Sequence, residues 1–329
     1  MAITTKQTSF LAFHPLKRTR RAVFLDTMDK VVPWGELVGV VAPHYEPAKT
    51  GRPLTDCETL IRCMCMAVWF GRADEMLEDD IHEMPLYREF LGLECGDSRI
   101  PDHTVMCRFR NLLEAHGLTR KMFERINALL AAQGLLMKEG TAVDATIIDA
   151  PSGTKNENKE RTPGCASGKK GSNWRYGLKL HTGVDLDSGI VHSLTVTPAN
   201  VADVSETTKL THGEEALVIG DKGYVSAALI EAYEKLGTLF DVCQKTKKNE
   251  SPEEKAARRA ANALISGFRA IVEHPYRVVK WLWENDRVRF RTLSKNASWL
   301  TLAVTLANLY QVRGKLLKTP LTGAAPLAA

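Results

Sequence analysis

The chain has 329 residues, 44% hydrophobic and 25% charged, a balance that excludes collagen-like, low-complexity and wholly disordered proteins and leaves room for two structural units. Lys and Arg outnumber Asp and Glu by 44 to 39, a net charge of only +5, so any contact with nucleic acid must come from local patches and not from a global field. Seven irregularly spaced cysteines read as reduced thiols, with Cys63-Met64-Cys65 as core packing; the lack of a signal-peptide layout or of 18 uninterrupted apolar residues predicts a cytoplasmic protein.

The basic cluster Lys17-Arg18-Thr19-Arg20-Arg21 precedes an amphipathic stretch at 24–41. Gly51-Arg52-Pro53 reads as a break, and Thr55 or Asp56 as the N-cap of a buried helix over 57–70. Further helices are predicted at 74–83, 85–91, from near 102, and at 119–133, with Gly134 as a C-cap, so that 1–137 is an all-helical unit. At Gly140 the pattern changes. The β-branched run 141–148 predicts a strand, 151–172 a mobile Ser/Gly/Lys/Asn-rich loop, and 176–184 and 190–197 two strands joined by a turn at Asp187-Ser188-Gly189. A helix from about 203, a strand at 216–221, a helix at 226–235 and a strand at 238–243 follow. A basic segment from Lys245 to Arg259 then leads to helices at 264–283 and 296–313, and the tail from 319 lacks the apolar bulk to fold. The second unit, 138–318, is therefore expected to be a small mixed sheet with helices on its faces, an α/β layered architecture.

Asp144 lies in the middle of a strand between apolar neighbours, where an unpaired carboxylate is costly. Asp221 ends a strand, the usual place for ligand-binding groups in open α/β sheets and also a common place for a turn or cap residue. At about 100° per residue, Arg269, Glu273, Tyr276, Arg277 and Lys280 share one face of the predicted helix, opposite Phe268, Ile271, Val278, Val279 and Leu282. That polar face reads either as a site or as a solvated surface with i,i+4 pairs, and Pro275 should bend it.

Asp144 in Val-Asp-Ala-Thr, Asp221 in Gly-Asp-Lys-Gly-Tyr and Glu273 in Val-Glu-His-Pro-Tyr-Arg-Val-Val-Lys, spaced by 77 and 52 residues, resemble the DDE transposases of bacterial insertion sequences, family five and its relatives. Arg269 and Lys280 match the Arg and Lys of that family's Tyr-Arg-Glu-Lys signature, whereas Ser266 stands where its Tyr belongs, leaving that role unfilled or taken by Tyr276. Ile100-Pro101-Asp102-His103-Thr104 with Arg108-Phe109-Arg110, Lys179-Leu180-His181, Thr197-Pro198-Ala199-Asn200 with Asp203, and Leu306-Ala307-Asn308-Leu309-Tyr310 extend the likeness over about 50–313. The resemblance implies a ribonuclease-H-like catalytic core behind a helical, DNA-end-binding N-terminal domain. It implies cleavage at terminal inverted repeats and strand transfer into target DNA by a dimer or larger synapse.

Such chemistry needs two Mg²⁺ ions (Mn²⁺ substituting) on hard oxygen ligands, with Asp144 expected to bridge them, Asp221 to hold one and Glu273 the other. His181, His192 and Cys243 have no zinc spacing. Arg269 and Lys280 are expected on DNA-end phosphates, with Arg277, Lys222 and Tyr276 as further contacts; Tyr224 is open between DNA and packing. Arg108 and Arg110 face either DNA or an acidic neighbour, and the 245–259 segment either solvent or a DNA backbone. Trp174, Trp281 and Trp283 could stack on a base, although packing suits the last two better. Two other functions share these features: a catalytically inert DNA-binding derivative and a structure-specific nuclease.

Overall fold

Acidic and hydroxyl caps start several of the N-terminal helices. In the computed structural model, which describes residues 18–45, 54–93, 100–137, 139–154, 160–170, 173–246 and 250–321, Thr19 caps α1 (Arg20–Val31). α2 (Trp34–Val41) follows, and Asp56 accepts from the Thr59 amide at 2.9 Å to begin α3 (Cys57–Trp69). After α4 (Asp74–Glu83) and α5 (Pro85–Phe90), Asp102 caps α6 (His103–Ala115) through the Val105 amide, and α7 (Leu118–Ala132) completes the helical part. Cys63 and Cys65 lie inside α3 with their thiols in the core, where burial pushes the Cys63 pKa up to about 12.

The sheet contains β1 (Gly140–Asp149), β2 (Ala166–Lys170), β3 (Asn173–Asp185), β4 (Val191–Pro198), β5 (Leu217–Gly220) and β6 (Leu239–Val242). Its order is β2-β3-β1-β5-β6, with β4 also on β3. β3 runs antiparallel to β1, β2 and β4, while β5 is parallel to β1 and β6 to β5. This mixed sheet carrying helices on its faces is a ribonuclease-H-like architecture. β2 is a correction: part of the stretch expected to be loop pairs with the start of β3, which itself begins at Asn173, ahead of the expected 176. Residues 155–159 of that loop, and 322–329 of the tail, lie outside the described residues.

Two layers cover the sheet. Val143, Val218 and Phe240 point to one side and pack with Tyr224 and with Tyr233 of α9 (Ala227–Lys235); the short α8 (Thr207–Leu210) adds Leu210 there. Ala142, Ile148, Leu180 and Ile219 point to the other side. A long helical run lies over that side: α10 (Pro252–Arg269), a 3₁₀ turn (Ala270–Val272), α11 (Glu273–Tyr276) and a π-helical stretch (Arg277–Leu282). α10 begins well before the expected 264, because Ser251 and Glu254 form a reciprocal capping box with Pro252 at the first turn.

The same helical run overturns the simple face assignment. Phe268 and Leu282, expected inside, are exposed, while Val272, Pro275, Tyr276, Val278 and Val279 are buried. A periodicity of 100° per residue fails once the helix tightens to 3₁₀ and then widens to π. α12 (Leu293–Leu316) is buried almost all round and packs on α7, β4, α1 and α3. One apolar cluster thus runs from Leu25 in the first helix to Leu316 in the last.

Candidate active site

Strand register sets two acids side by side. Ala142 of β1 lies opposite Ile219 of the parallel β5, and Asp144 and Asp221 each stand two residues further along. With neighbouring strands about 4.8 Å apart and side chains alternating, both acids rise from the same face in adjacent rows. On the other flank Asp144 pairs with Thr182 of β3.

Asp221 is also the cap that the bland reading expected. It accepts from the Gly223 amide at 2.6 Å and starts a 3₁₀ turn, Lys222–Tyr224. A side chain on Gly223 would place its Cβ 2.8 Å from Asp221 Oδ1, and one on Gly220 would meet the Tyr224 ring at 3.2 Å. The Gly-Asp-Lys-Gly-Tyr motif therefore has a packing explanation: the two glycines let the acid and the aromatic ring close onto the backbone. Tyr224 is wholly buried in the second apolar cluster, which decides for packing over DNA.

Glu273 is exposed and begins α11, in the helical run that lies over this side of the sheet. Two neighbours fix its helix to the sheet. The Tyr276 hydroxyl bonds Thr182 Oγ1 at 2.7 Å, and Lys280 Nζ donates to Thr146 Oγ1 (3.0 Å) and to the Ile147 carbonyl (2.8 Å). Burial, with Asp144 and then Glu273 close by, holds the Tyr276 hydroxyl protonated well above the ordinary phenol range. Arg269 puts Nη2 3.6 Å from Asp144 Oδ2 and also feels the field of Asp221. Asp144, Asp221, Arg269, Tyr276 and Lys280 are thus gathered along one side of the sheet, and the helix that begins with Glu273 is tied to that side. Tyr276 faces inward and reaches no external ligand, so its expected DNA contact is corrected to a tether.

Of the remaining expected contacts, Arg108, Lys222 and Arg277 are exposed. Arg110 is not: its side chain is 13% exposed, it grips Asp74 with two bonds of 2.6 Å, and its guanidinium lies over the Phe290 ring. The acidic neighbour wins over DNA. Arg110→Ala is expected to cost about 3 kcal/mol by leaving a largely buried Asp74 unpaired. Urea unfolding would measure this, and wild-type stability with weakened DNA binding would return Arg110 to the interface. Trp283 is buried as expected, whereas Trp281 is turned outward.

Asp203 is an acid at the site's edge that sequence reasoning left outside it. Its Oδ1 accepts from Lys179 Nζ at 2.8 Å, and its Oδ2 lies 3.6 Å from where a Gly223 Cβ would be, beside Asp221 Oδ1. Its signal was its place after Thr197-Pro198-Ala199-Asn200. His181, on the same motif set, is fully buried, with Nε2 2.8 Å from Thr197 Oγ1 and Nδ1 3.7 Å from Asp203 Oδ1. Burial, outweighing Asp203, lowers its pKa to about 4. The unfolded chain, with an ordinary His pKa near 6.5, binds the proton first. This contribution to stability is therefore full above about pH 6.5 and is lost as pH falls toward about 4. In His181→Gln, the drop in unfolding free energy across that window should be visibly shallower; an unchanged slope would rule the residue out as its source.

The donor chemistry fits a hard divalent cation. The acids offer carboxylate oxygens, Arg269 already answers their charge, and the buried Tyr224 hydroxyl, without a hydrogen-bond partner, feels Asp144, Asp203 and Asp221. Among the described residues, no three His, Cys, Asp or Glu side chains lie close enough to hold one ion, so the acids form an open row and not a closed cage. No described helix is long and apolar enough to cross a membrane.

Residues 136–309, more than half of the chain, match the Transposase DDE domain family, and residues 12–112 match a second family, Transposase domain (DUF772). Among solved structures, a cryo-EM structure of the piggyBac transposase synaptic complex with hairpin DNA aligns at a TM-score of 0.47 and 10% identity, over 93% of this chain and 79% of that one. The family implies an enzyme that acts on DNA and depends on a divalent metal. With its acids on a ribonuclease-H-like sheet and both transposase regions matched, the chain belongs to the DDE transposase family.

Proposed function

We propose that this protein is an insertion-sequence transposase that cuts DNA at its element's terminal inverted repeats and joins the freed ends to target DNA. The observation that carries the reading is the equal offset of Asp144 and Asp221 on adjacent parallel strands, with the Glu273 helix tied to the same face. Asp144, Asp221 and Glu273 would hold two Mg²⁺ ions, or Mn²⁺ in their place; bound there, the ions would supply charge neutralisation for an in-line attack by water or a 3′-hydroxyl on a phosphodiester.

The chain's own groups do the rest. Arg269 offsets the acids' mutual repulsion and has the fork geometry to take a phosphate when the acids are otherwise neutralised. Tyr276 and Lys280 keep the Glu273 helix in register with β1 and β3. Lys222 follows Asp221 directly, is exposed and suits a backbone phosphate, Arg277 is exposed on the Glu273 helix and suits another, and Arg108 and the helices of the first unit are assigned to recognising the repeats. Cutting two ends requires at least two copies, hence a dimer or higher synapse.

The test is a labelled inverted-repeat duplex incubated with the protein in Mg²⁺ or Mn²⁺. Cleavage at the repeat boundary followed by joining supports the reading. Cleavage without joining favours a structure-specific nuclease, and binding with neither favours an inert derivative.

A further inference from the structure

A groove of about 590 Å³ lies on the outer side of the Glu273 helix, between it and the end of α12. Its walls include His274, Arg277 and Trp281 from the helix and Tyr310 and Arg313 from α12, and no carboxylate lines it. The larger groove of the helical part, about 940 Å³, is instead lined by Asp26, Asp29, Asp56 and Glu58 beside Arg18 and Arg62, a surface that repels a phosphate chain.

Trp281 is unusual in this setting. It is 77% exposed, although Val278, Val279 and Trp283 around it are buried, and it stands in the π-helical stretch that follows Glu273 by one turn. π-helical turns of this kind are frequent at functional sites. An indole held out into water loses the burial that would stabilise it, unless a ligand covers it. The cations beside it are poised for an anion. Arg277 is exposed, and Arg313 is braced, with its guanidinium 3.9 Å from the Tyr310 ring centroid and Nη1 donating to the Tyr310 carbonyl at 2.6 Å.

A flat aromatic surface flanked by two guanidinium groups matches one chemistry in particular: an unpaired nucleobase with a phosphate on either side. We propose that this groove binds a single-stranded stretch of DNA, one base stacked on Trp281 and the neighbouring phosphates on Arg277 and Arg313. The proposal rests on the reading of the protein as acting on DNA, and adds to it a place for a strand that has left its duplex.

The test uses the full chain and two fluorescent probes: oligo(dT) of about 20 nucleotides, whose bases are all unpaired, and a blunt duplex of the same length. Trp281→Ala should weaken oligo(dT) binding about tenfold and duplex binding less than about twofold, with Trp281→Phe restoring most of the loss. Arg277→Gln and Arg313→Gln should each lower the salt dependence of oligo(dT) binding by about 0.7 in log–log slope. If Trp281→Ala binds oligo(dT) like wild type while the duplex is also bound, the groove is not a strand site and the DNA reading survives. If the wild type binds neither probe, the strand site is rejected, and the inverted-repeat duplex decides the DNA reading separately. If Trp281→Ala instead splits an oligomer in sedimentation and leaves oligo(dT) binding intact, the groove is a contact between copies of this chain, and the proposal is overturned. Should Trp281→Ala melt early, Trp281→Phe and the two arginine variants decide.

Discussion

Asp144→Asn is expected to reduce strand cleavage by about 10³-fold or more while leaving repeat-DNA binding nearly unchanged. The substitution keeps the shape of the side chain and touches none of the backbone pairs that β1 makes with β3 and β5. What it removes is a charge. The remaining amide is a poor ligand for a hard cation, and Arg269 loses the nearer of the two acids whose field it feels. Asp221→Asn separates two roles in one residue. The amide oxygen of Asn can still accept from the Gly223 amide, so the cap and the fold should persist while cleavage is lost. Glu273→Gln should behave alike, since Glu273 is exposed and its helix is held by Tyr276 and Lys280. Gel analysis of labelled repeat ends in Mn²⁺, beside a binding titration of each variant, measures both quantities. Substantial cleavage by any of the three would remove that residue from the metal-binding set.

Asn308→Ala is expected to be the most destabilising polar substitution, costing about 3 kcal/mol or more in urea unfolding. Asn308 is fully buried in α12, where its Oδ1 accepts from the Val191 amide at 2.9 Å and its Nδ2 donates to the Val191 carbonyl (2.7 Å) and to Asn127 Oδ1 (3.0 Å). One side chain thus mimics a strand partner for the start of β4 and ties it to both α12 and α7. Removing it strands the Val191 amide and the Asn127 carbonyl oxygen in a dry interior and opens a void. The Leu-Ala-Asn-Leu-Tyr motif is therefore a joint between the two halves of the molecule. A loss below about 1 kcal/mol would show that water or a shifted backbone can take its place.

The joint also explains where sequence reading stopped. The helices of the first part were legible because their starts are local: of the two expected cap residues Thr55 and Asp56, Asp56 caps, and the helix expected from near 102 begins on the cap made by Asp102. The strands were legible through β-branched runs broken by Asp187-Ser188-Gly189. β2 was hidden because its residues, Ala-Ser-Gly-Lys-Lys, have no β propensity and are held as a strand only by pairing with β3. The burial of Tyr276 and the exposure of Leu282 were hidden because a change of helix type rotates every later side chain. Arg110 reads as a free cation in any linear inspection, since Asp74 is 36 residues away.

The amino-acid sequence by itself determined the α/β class of the second unit, through its β-branched runs, and the transposase family, through the resemblance of its Asp144, Asp221 and Glu273 motifs. Only the tertiary structure decided that Asp144 and Asp221 share a face, that Tyr276 and Lys280 are tethers, and that Arg110 and Asn308 hold the scaffold. Register, pairing and burial depend on residues far apart in the chain, and no pattern within a single segment encodes which of them will meet.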